Sequence, residues 1–350
     1  MSTEAEDPAL RRTPARPNGK PAVMADVARA AGVSHQTVSR VLNHHPSVRP
    51  ETRERVLAAI DQLDYRRNLA ARALVTRRTQ TIGVVSFDTT LYGPASTLYG
   101  LQLAAREAGY FVSVASMKTI DRDTVPAALE RLHEQNVEGV IVIAPLRQAA
   151  EALAELPRGR PLVAVGGSVK GSPDVCVDQA QGAAMATRHL LEQGVSTVWH
   201  VAGPQDWLEA DERVLGWRTT LEQAGAPVPE PVRGDWSPSS GYAAGKVLAA
   251  RDDVDAVFVA NDQMAVGVLR AFHERGVRVP DDVLLVGFDD IPESAFFTPP
   301  LTTVLQNFIE VGRRSIEQLL AQISGDSAHQ TRVVIAPRLV VRQSSHRPTG

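Results

Sequence analysis

A single cysteine, Cys176, stands in a chain of 350 residues, which excludes a disulfide framework and any metal site built from several cysteines. Such sparing use of cysteine fits a reducing compartment. Long apolar runs are missing as well. None reaches the roughly 18 residues that cross a bilayer, and the N-terminus has no apolar signal-peptide core. A soluble, cytoplasmic chain with no membrane partner is expected. Catalytic signatures are equally scarce. There is no Gly-x-Ser-x-Gly elbow, no histidine pair at metal spacing and no dinucleotide glycine fingerprint in the first strand–helix unit. "GGSVKGS", around Gly167, has its lysine and glycine in the wrong order for a phosphate loop. Cys176, inside the strand-like "DVCVD", reads as a small packed residue rather than a nucleophile. No enzyme, cofactor or metal site is expected.

What is present is unevenly distributed. The net charge of −3 averages two opposite regions: residues 1–79 hold 14 Lys/Arg against 8 Asp/Glu, and the remainder holds 23 against 32. A basic head on an acidic body suits a polyanionic partner, although a solubility tail with scattered arginines has the same charge. The chain is 43% hydrophobic, ample for two or three domains.

Residues 1–19 carry three prolines and almost no large apolar side chain, so disorder is expected there. Residues 20–67 read as three short helices. Val27, Ala28 and Ala31 space the first, which Gly32 stops; Ser34 caps the second, which runs to about Leu42; Pro50 opens the third. "RRNLAARALVTRRTQ" follows, basic and too short to fold by itself. From Thr81 apolar strands alternate with amphipathic helices, the pattern of parallel sheets covered on both faces. The strands are too many for one comfortable sheet, so an α/β core of two lobes is expected.

The second helix carries the first functional signal. Positions 35, 36, 39 and 40 share one helical face, opposite Val38, Val41 and Leu42. Gln36 can pair with adenine at two points, and Arg40 with the O6 and N7 of guanine. A helix, a glycine turn and a polar-faced helix make the helix-turn-helix arrangement, or else an ordinary helical hairpin with a solvated face.

"DVARAAGVSHQTVSRVLN" closely resembles the DNA-binding segment of the lactose/galactose repressor family. "NLAARAL", "GDWSPSSGY", "VFVANDQMAVGVLRA", "VGFDD" and "PPLTTV" resemble the same family's later segments, in its order and spacing. The resemblance runs from about Val23 to Arg342. It implies that His35, Gln36 and Arg40 read operator bases, and that Thr37, Ser39 and Asn43 contact phosphates or bases. Residues 68–79 are then a hinge, with Asn68 and Ala71 on the DNA and Leu74 wedged between base pairs in the minor groove. One departure stands at Val23, where relatives carry a capping threonine or serine; this helix end must fray or borrow another partner.

The resemblance further implies a periplasmic-binding-protein-like core over 80–345, with lobe one about 80–177 and 306–332 and lobe two about 178–305 and 333–345. Arg213, Trp236, Asn261 and Asp289 match effector-contacting positions, with Phe87 and Leu91 beside the first strand of the core. An aromatic face suits a sugar ring, and Arg, Asn and Asp suit its hydroxyls. Trp236 is alternatively a core tryptophan, and Arg213 and Asp289 alternatively a structural ion pair. Phe87, Ala144 and Gly166 replace polar residues of the lactose repressor, so a different or longer saccharide is expected. The implied partners are a pseudo-palindromic double-stranded operator, a saccharide effector and a second copy of the chain. The alternatives are a purine or other non-sugar corepressor, and a binding protein without regulatory DNA contact.

Overall fold

The computed structural model describes residues 22–66, 78–117, 124–143, 146–154, 160–167, 173–326 and 332–346. The N-terminal tail, hinge positions Asn68, Ala71 and Leu74, and Ala144 lie outside the described residues. The chain divides into a head, residues 1–78, and a core, residues 79–350.

The head holds α1 (Met24–Ala31), α2 (His35–Leu42) and α3 (Pro50–Gln62). Its apolar stripes meet in a small cluster of Val27, Val38, Val41, Val56, Ala59 and Tyr65. Gly32 ends α1 at φ 61°, a left-handed conformation that costs glycine little. Ser34 Oγ accepts from the Thr37 N–H at 3.2 Å and opens α2. Val23 has no such oxygen, and α1 borrows its cap from its own first turn. The Asp26 carboxylate accepts the Val23 N–H at 3.1 Å and also holds Arg29 at 3.2 Å.

The core contains two six-stranded sheets. Lobe one pairs β1 (Thr81–Phe87), β2 (Phe111–Met117), β3 (Gly139–Ile143), β4 (Leu162–Val165), β5 (Asp174–Val177) and β11 (Arg332–Ile335) in the order β11-β5-β4-β3-β1-β2, all parallel. Lobe two pairs β6 (Trp199–Ala202), β7 (Val232–Arg233), β8 (Ala256–Val259), β9 (Leu284–Asp289), β10 (Thr302–Leu305) and β12 (Arg338–Val340) in the order β12-β10-β9-β8-β6-β7. The edge strand β12 is antiparallel to β10, a departure from the purely parallel sheets expected. The central strands are fully buried and read as continuous apolar runs, as parallel sheets covered on both faces require.

The helices of lobe one are α4 (Tyr92–Glu107), α5 (Thr124–Glu134) and α6 (Arg147–Ala154); those of lobe two are α7 (Gln179–Leu191), α8 (Leu208–Gln223), α9 (Pro238–Leu248) and α10 (Asp262–Glu274). Then α11 (Phe308–Ile323) returns to lobe one and packs on α4. The chain therefore passes between lobes after β5, after β10 and after β11. The last passage falls beyond Ile335, later than the expected boundary near 332, because Arg332–Ile335 pairs in register with Asp174–Val177. Residues just beyond β1, β6, β7, β8 and β9 face one another across the interlobe cleft, where open α/β sheets usually take ligands.

Candidate functional site

In the head, Val38 and Val41 turn inward, which leaves His35, Gln36, Arg40 and Asn43 exposed and Thr37 and Ser39 half-buried. Three of these side chains have local partners: Thr37 Oγ1 meets the capping Ser34 Oγ at 2.9 Å, and Asn43 Nδ2 donates to Ser39 Oγ at 3.4 Å. His35, Gln36 and Arg40 have no hydrogen bond or ion pair among the described residues. An amide and a guanidinium held free on one rigid helical face present the two-point hydrogen-bonding geometry that base edges accept.

The interlobe pocket is built differently. Leu91 and Tyr92 enter from lobe one, Trp207, Arg213, Trp236, Asn261 and Asp289 from lobe two, and Gln306 from the passage after β10. The Trp236 ring lies flat on backbone that only glycine allows, because a Cβ on Gly203 would stand 2.2 Å from the indole. Trp236 and Asp289 both have positive φ, 72° and 109°. Such backbone costs on the order of 1–3 kcal/mol per residue and persists only where the surroundings enforce it. Here Asn261 enforces it in part: its Nδ2 donates to the Trp236 carbonyl at 3.2 Å, while its Oδ1 caps α10 by accepting the Met264 N–H at 2.9 Å. An edge-on aromatic ladder leads out of the pocket, from Trp236 to Trp207 (5.4 Å between centroids) and on to Phe87 (6.0 Å).

Arg213 is 3% exposed and stands at the centre of a polar relay. Its Nε donates to Gln179 Oε1 at 2.8 Å and its Nη1 to the Ala260 carbonyl, and its guanidinium lies over the Phe288 ring at 4.0 Å. Gln179 Nε2 donates to Gln306 Oε1 at 2.8 Å, and Gln306 Nε2 donates to Asp289 Oδ1 at 2.7 Å. No ion pair joins Arg213 to Asp289 among the described residues, so that structural alternative is corrected: two amides stand between them, and Glu209 at 4.0 Å is the carboxylate nearest the guanidinium. Burial pushes the Asp289 carboxyl up to about 6 against the pull of Arg213. Burial likewise pushes Glu209 up to about 7. Asp262, fully buried and close to Asp289, also rises to about 7 while accepting from Ser294 Oγ, Thr303 Oγ1 and the Ile291 N–H. The Trp236 indole N–H is buried with no partner among the described residues.

Five of the six residues expected in the cleft therefore line one pocket: Leu91, Arg213, Trp236, Asn261 and Asp289. Phe87 joins it only through the edge of Trp207. Trp236 is at once a pocket wall and a member of an apolar cluster drawn from both lobes. Tyr92, expected near the cleft as an extra aromatic on the loop after the first strand, lines the pocket, whereas Trp207, Gln179, Gln306 and Glu209 carry no signal in the sequence. Glutamine at an interlobe passage has no periodic signal, and Trp207 reads locally as an ordinary residue before a helix. The pocket measures about 30 Å³, room for about two waters. That is smaller than the space a sugar ring occupies.

Among the described residues no helix is long and apolar enough to cross a membrane, and no group of three or more His, Cys, Asp or Glu is arranged to hold a metal.

Two family descriptions match the chain: "Bacterial regulatory proteins, lacI family" over residues 23–68 and "Periplasmic binding protein-like domain" over residues 187–345. The HTH-type transcriptional regulator CelR of Thermobifida fusca is 36% identical over 337 residues, covering 91% of this chain and 96% of the relative. Among solved structures, the Lac repressor dimer bound to operator and the anti-inducer ONPF aligns with TM-score 0.84 at 32% identity, over 93% of this chain and 99% of that one. The CelR–cellobiose complex aligns with TM-score 0.68 at 33% identity, over 92% and 99%.

Proposed function

The chain belongs to the lacI family of bacterial regulatory proteins, and on that premise we propose that it is a cytoplasmic, non-enzymatic transcriptional repressor. It binds a pseudo-palindromic operator as a homodimer, and a saccharide in the interlobe pocket controls its affinity for that operator. His35, Gln36 and Arg40 read base edges, Thr37, Ser39 and Asn43 position α2 on the backbone, and Asn68, Ala71 and Leu74 engage the minor groove.

The observation that carries the effector half is the pocket wall itself. Trp236 presents a flat aromatic face with a buried, unpartnered N–H, beside Arg213, Asn261 and Asp289. A ring bearing several hydroxyls satisfies such a wall at several points at once, with its apolar face on the indole. The relative solved with cellobiose supports the choice of sugar. The effector shifts the operator equilibrium only by binding one arrangement of the lobes more tightly than the other, since equal affinity shifts nothing. Contacts across the cleft hold the present arrangement, among them the Leu146–Trp207 backbone bridge, the edge-on pair of Phe87 and Trp207, and the bond from Arg147 Nη2 to Asp211 at 2.9 Å.

The test is a melting-temperature screen of purified protein against mono- and disaccharides, hypoxanthine and guanine, with polarisation of a labelled operator read in parallel. A cognate saccharide is expected to raise the melting temperature, perturb tryptophan fluorescence and release the operator. A response confined to a purine overturns the saccharide and leaves the repressor standing.

A further inference from the structure

β9 ends at Asp289, and the chain turns there through two consecutive residues of positive φ, Asp289 at 109° and Asp290 at 54°. Aspartate tolerates left-handed backbone better than most residues, yet two such residues in a row persist only where the surroundings enforce them. The corner matters because Asp289 is a carboxylate of the interlobe pocket. One of its restraints comes from the far end of the chain. We propose that Arg342 is a positioning residue for effector binding: acting through Asp290, it fixes the corner that aims Asp289 into the pocket. The inference rests on the reading of that pocket as a saccharide site.

Arg342 Nη2 donates to Asp290 Oδ1 at 2.7 Å, and its Nη1 donates to the Leu301 carbonyl at 2.8 Å. The two side chains are only 19% and 15% exposed, and a planar guanidinium with two partners fixes direction as well as distance. The remaining restraints lie on the other side of the corner. The Asp290 N–H reaches Thr303 Oγ1 at 3.3 Å, a long bond, and Thr303 Oγ1 donates onward to Asp262 Oδ1 at 2.6 Å. Asp262 Oδ2 accepts the next amide, Ile291 N–H, at 3.0 Å. Asp262 fits there because residue 287 is glycine: a Cβ on Gly287 would stand 2.1 Å from Asp262 Oδ1. The corner is thus gripped by Asp262 and Thr303 through its backbone, and by Arg342 through its one free carboxylate.

A restraint is only as firm as its base, and the base of Arg342 is bolted down. Its N–H donates to Thr302 Oγ1 at 2.8 Å, and Thr302 Oγ1 donates back to its carbonyl at 3.0 Å. Ser344 Oγ accepts the Thr302 N–H at 2.8 Å and donates to the Leu285 carbonyl at 2.7 Å. Ser345 Oγ donates to Thr302 Oγ1 at 2.7 Å and meets His189 Nε2 at 2.8 Å. Ser344 and Ser345 are fully buried. These backbone and hydroxyl bonds already anchor the segment to β9 and β10. The guanidinium adds a charged contact at the residue that adjoins the pocket carboxylate, although Arg342 does not itself line the pocket. Positioning from behind keeps Asp289 aimed while leaving its oxygens to Gln306 and to the ligand.

The test compares the wild-type full chain with Arg342→Gln, Asp290→Asn and Ser344→Ala. Crystal structures without sugar report the corner, calorimetric titration with cellobiose reports the pocket, and thermal melts report stability. In Arg342→Gln the bond from Gln306 to Asp289 is expected to open and cellobiose affinity to fall about ten-fold, the loss of one hydrogen bond between charged groups. Asp290→Asn weakens the same pair from its other side on a residue that still tolerates left-handed backbone. It should shift the corner and the affinity in the same direction, and it keeps the test valid if Arg342→Gln does not fold. Ser344→Ala loosens the same segment without touching the ion pair, so it should lower the melting temperature and leave cellobiose affinity unchanged. A corner that matches wild type in the Arg342 and Asp290 variants overturns the proposal. Equal losses of affinity in Ser344→Ala and Arg342→Gln also overturn it, and make the contact one of stability alone. If the wild type binds neither cellobiose nor any other saccharide, the reading of the pocket fails, while the crystal structures still decide whether Arg342 sets Asp289.

Discussion

In the head, Arg40 stands exposed on α2 with no partner among the described residues, whereas in the core Arg213 is 3% exposed and tied to Gln179, Ala260 and Phe288. The two arginines are assigned comparable work, recognition of a polar ligand, in opposite physical settings. A DNA-reading face stays solvated until a large polyanion replaces its water, so its side chains need no preassembled neighbours. A small-molecule pocket must hold a few polar groups in apolar surroundings, and there each group needs a partner before the ligand arrives. Recognition in the head should therefore separate cleanly from stability; in the cleft the two should be entangled.

The largest effect that tests this contrast is expected at Arg213. Arg213→Ala leaves Gln179 and Glu209 facing an uncompensated gap, and breaking a buried charged network costs about 3–5 kcal/mol. Urea unfolding should show that loss in the transition of the core. A lost saccharide response with an unchanged transition would break the contrast, making Arg213 as dispensable to folding as Arg40.

Next comes the pH dependence of the core. Asp289 is held at about 6 against an ordinary 3.8, so the fold favours its protonated form. That contribution is fully present below about pH 3.8 and is lost as pH rises through about 6. Between about pH 4 and 7 the wild type should lose up to about 3 kcal/mol relative to Asp289→Asn, because a tenfold change in proton affinity is worth about 1.4 kcal/mol. Chemical unfolding of both proteins across that range supplies the difference, and parallel curves would contradict the assignment.

In the head, Arg40→Ala is expected to cost about 1–3 kcal/mol on operator and less on random DNA, with the melting temperature unmoved. An equal loss on both DNAs reduces Arg40 to a phosphate contact. At the hinge, Leu74→Ala should reduce operator bending and leave saccharide affinity intact; an unchanged bend in a circular-permutation gel assay refutes the wedge.

The smallest effects sharpen the contrast within the head itself. Ser34→Ala removes a cap oxygen and should cost about 1 kcal/mol, whereas Val23→Thr adds one and should gain about 0.5 kcal/mol. Thermal melts of the two variants decide this. A neutral result at Val23 would mean that Asp26 already serves that helix end in full.

Much of the architecture was legible without coordinates because its causes are local. Helical spacing of Val27, Ala28 and Ala31, the left-handed stop at Gly32, the oxygen of Ser34 and the ring of Pro50 act within a few residues, and α1 to α3 begin and end at those signals. The apolar runs of β3, β8 and β9 are equally local, and alternation with helices dictates a parallel sheet. Family resemblance supplied the candidate cleft residues that periodicity alone does not mark. Tertiary structure decided the rest, where the cause lies far away in the chain. Residue order cannot say that Gln179 and Gln306, 127 positions apart, stand between Arg213 and Asp289 and replace the ion pair that charge alone suggests. Nor can it say that Gly203 lies beneath the Trp236 ring, or that Arg332–Ile335 pairs with lobe one before the chain crosses for the last time. Helices and strands follow from neighbours in sequence, whereas a pocket follows from neighbours in space, brought together here by three passages of the chain between two sheets.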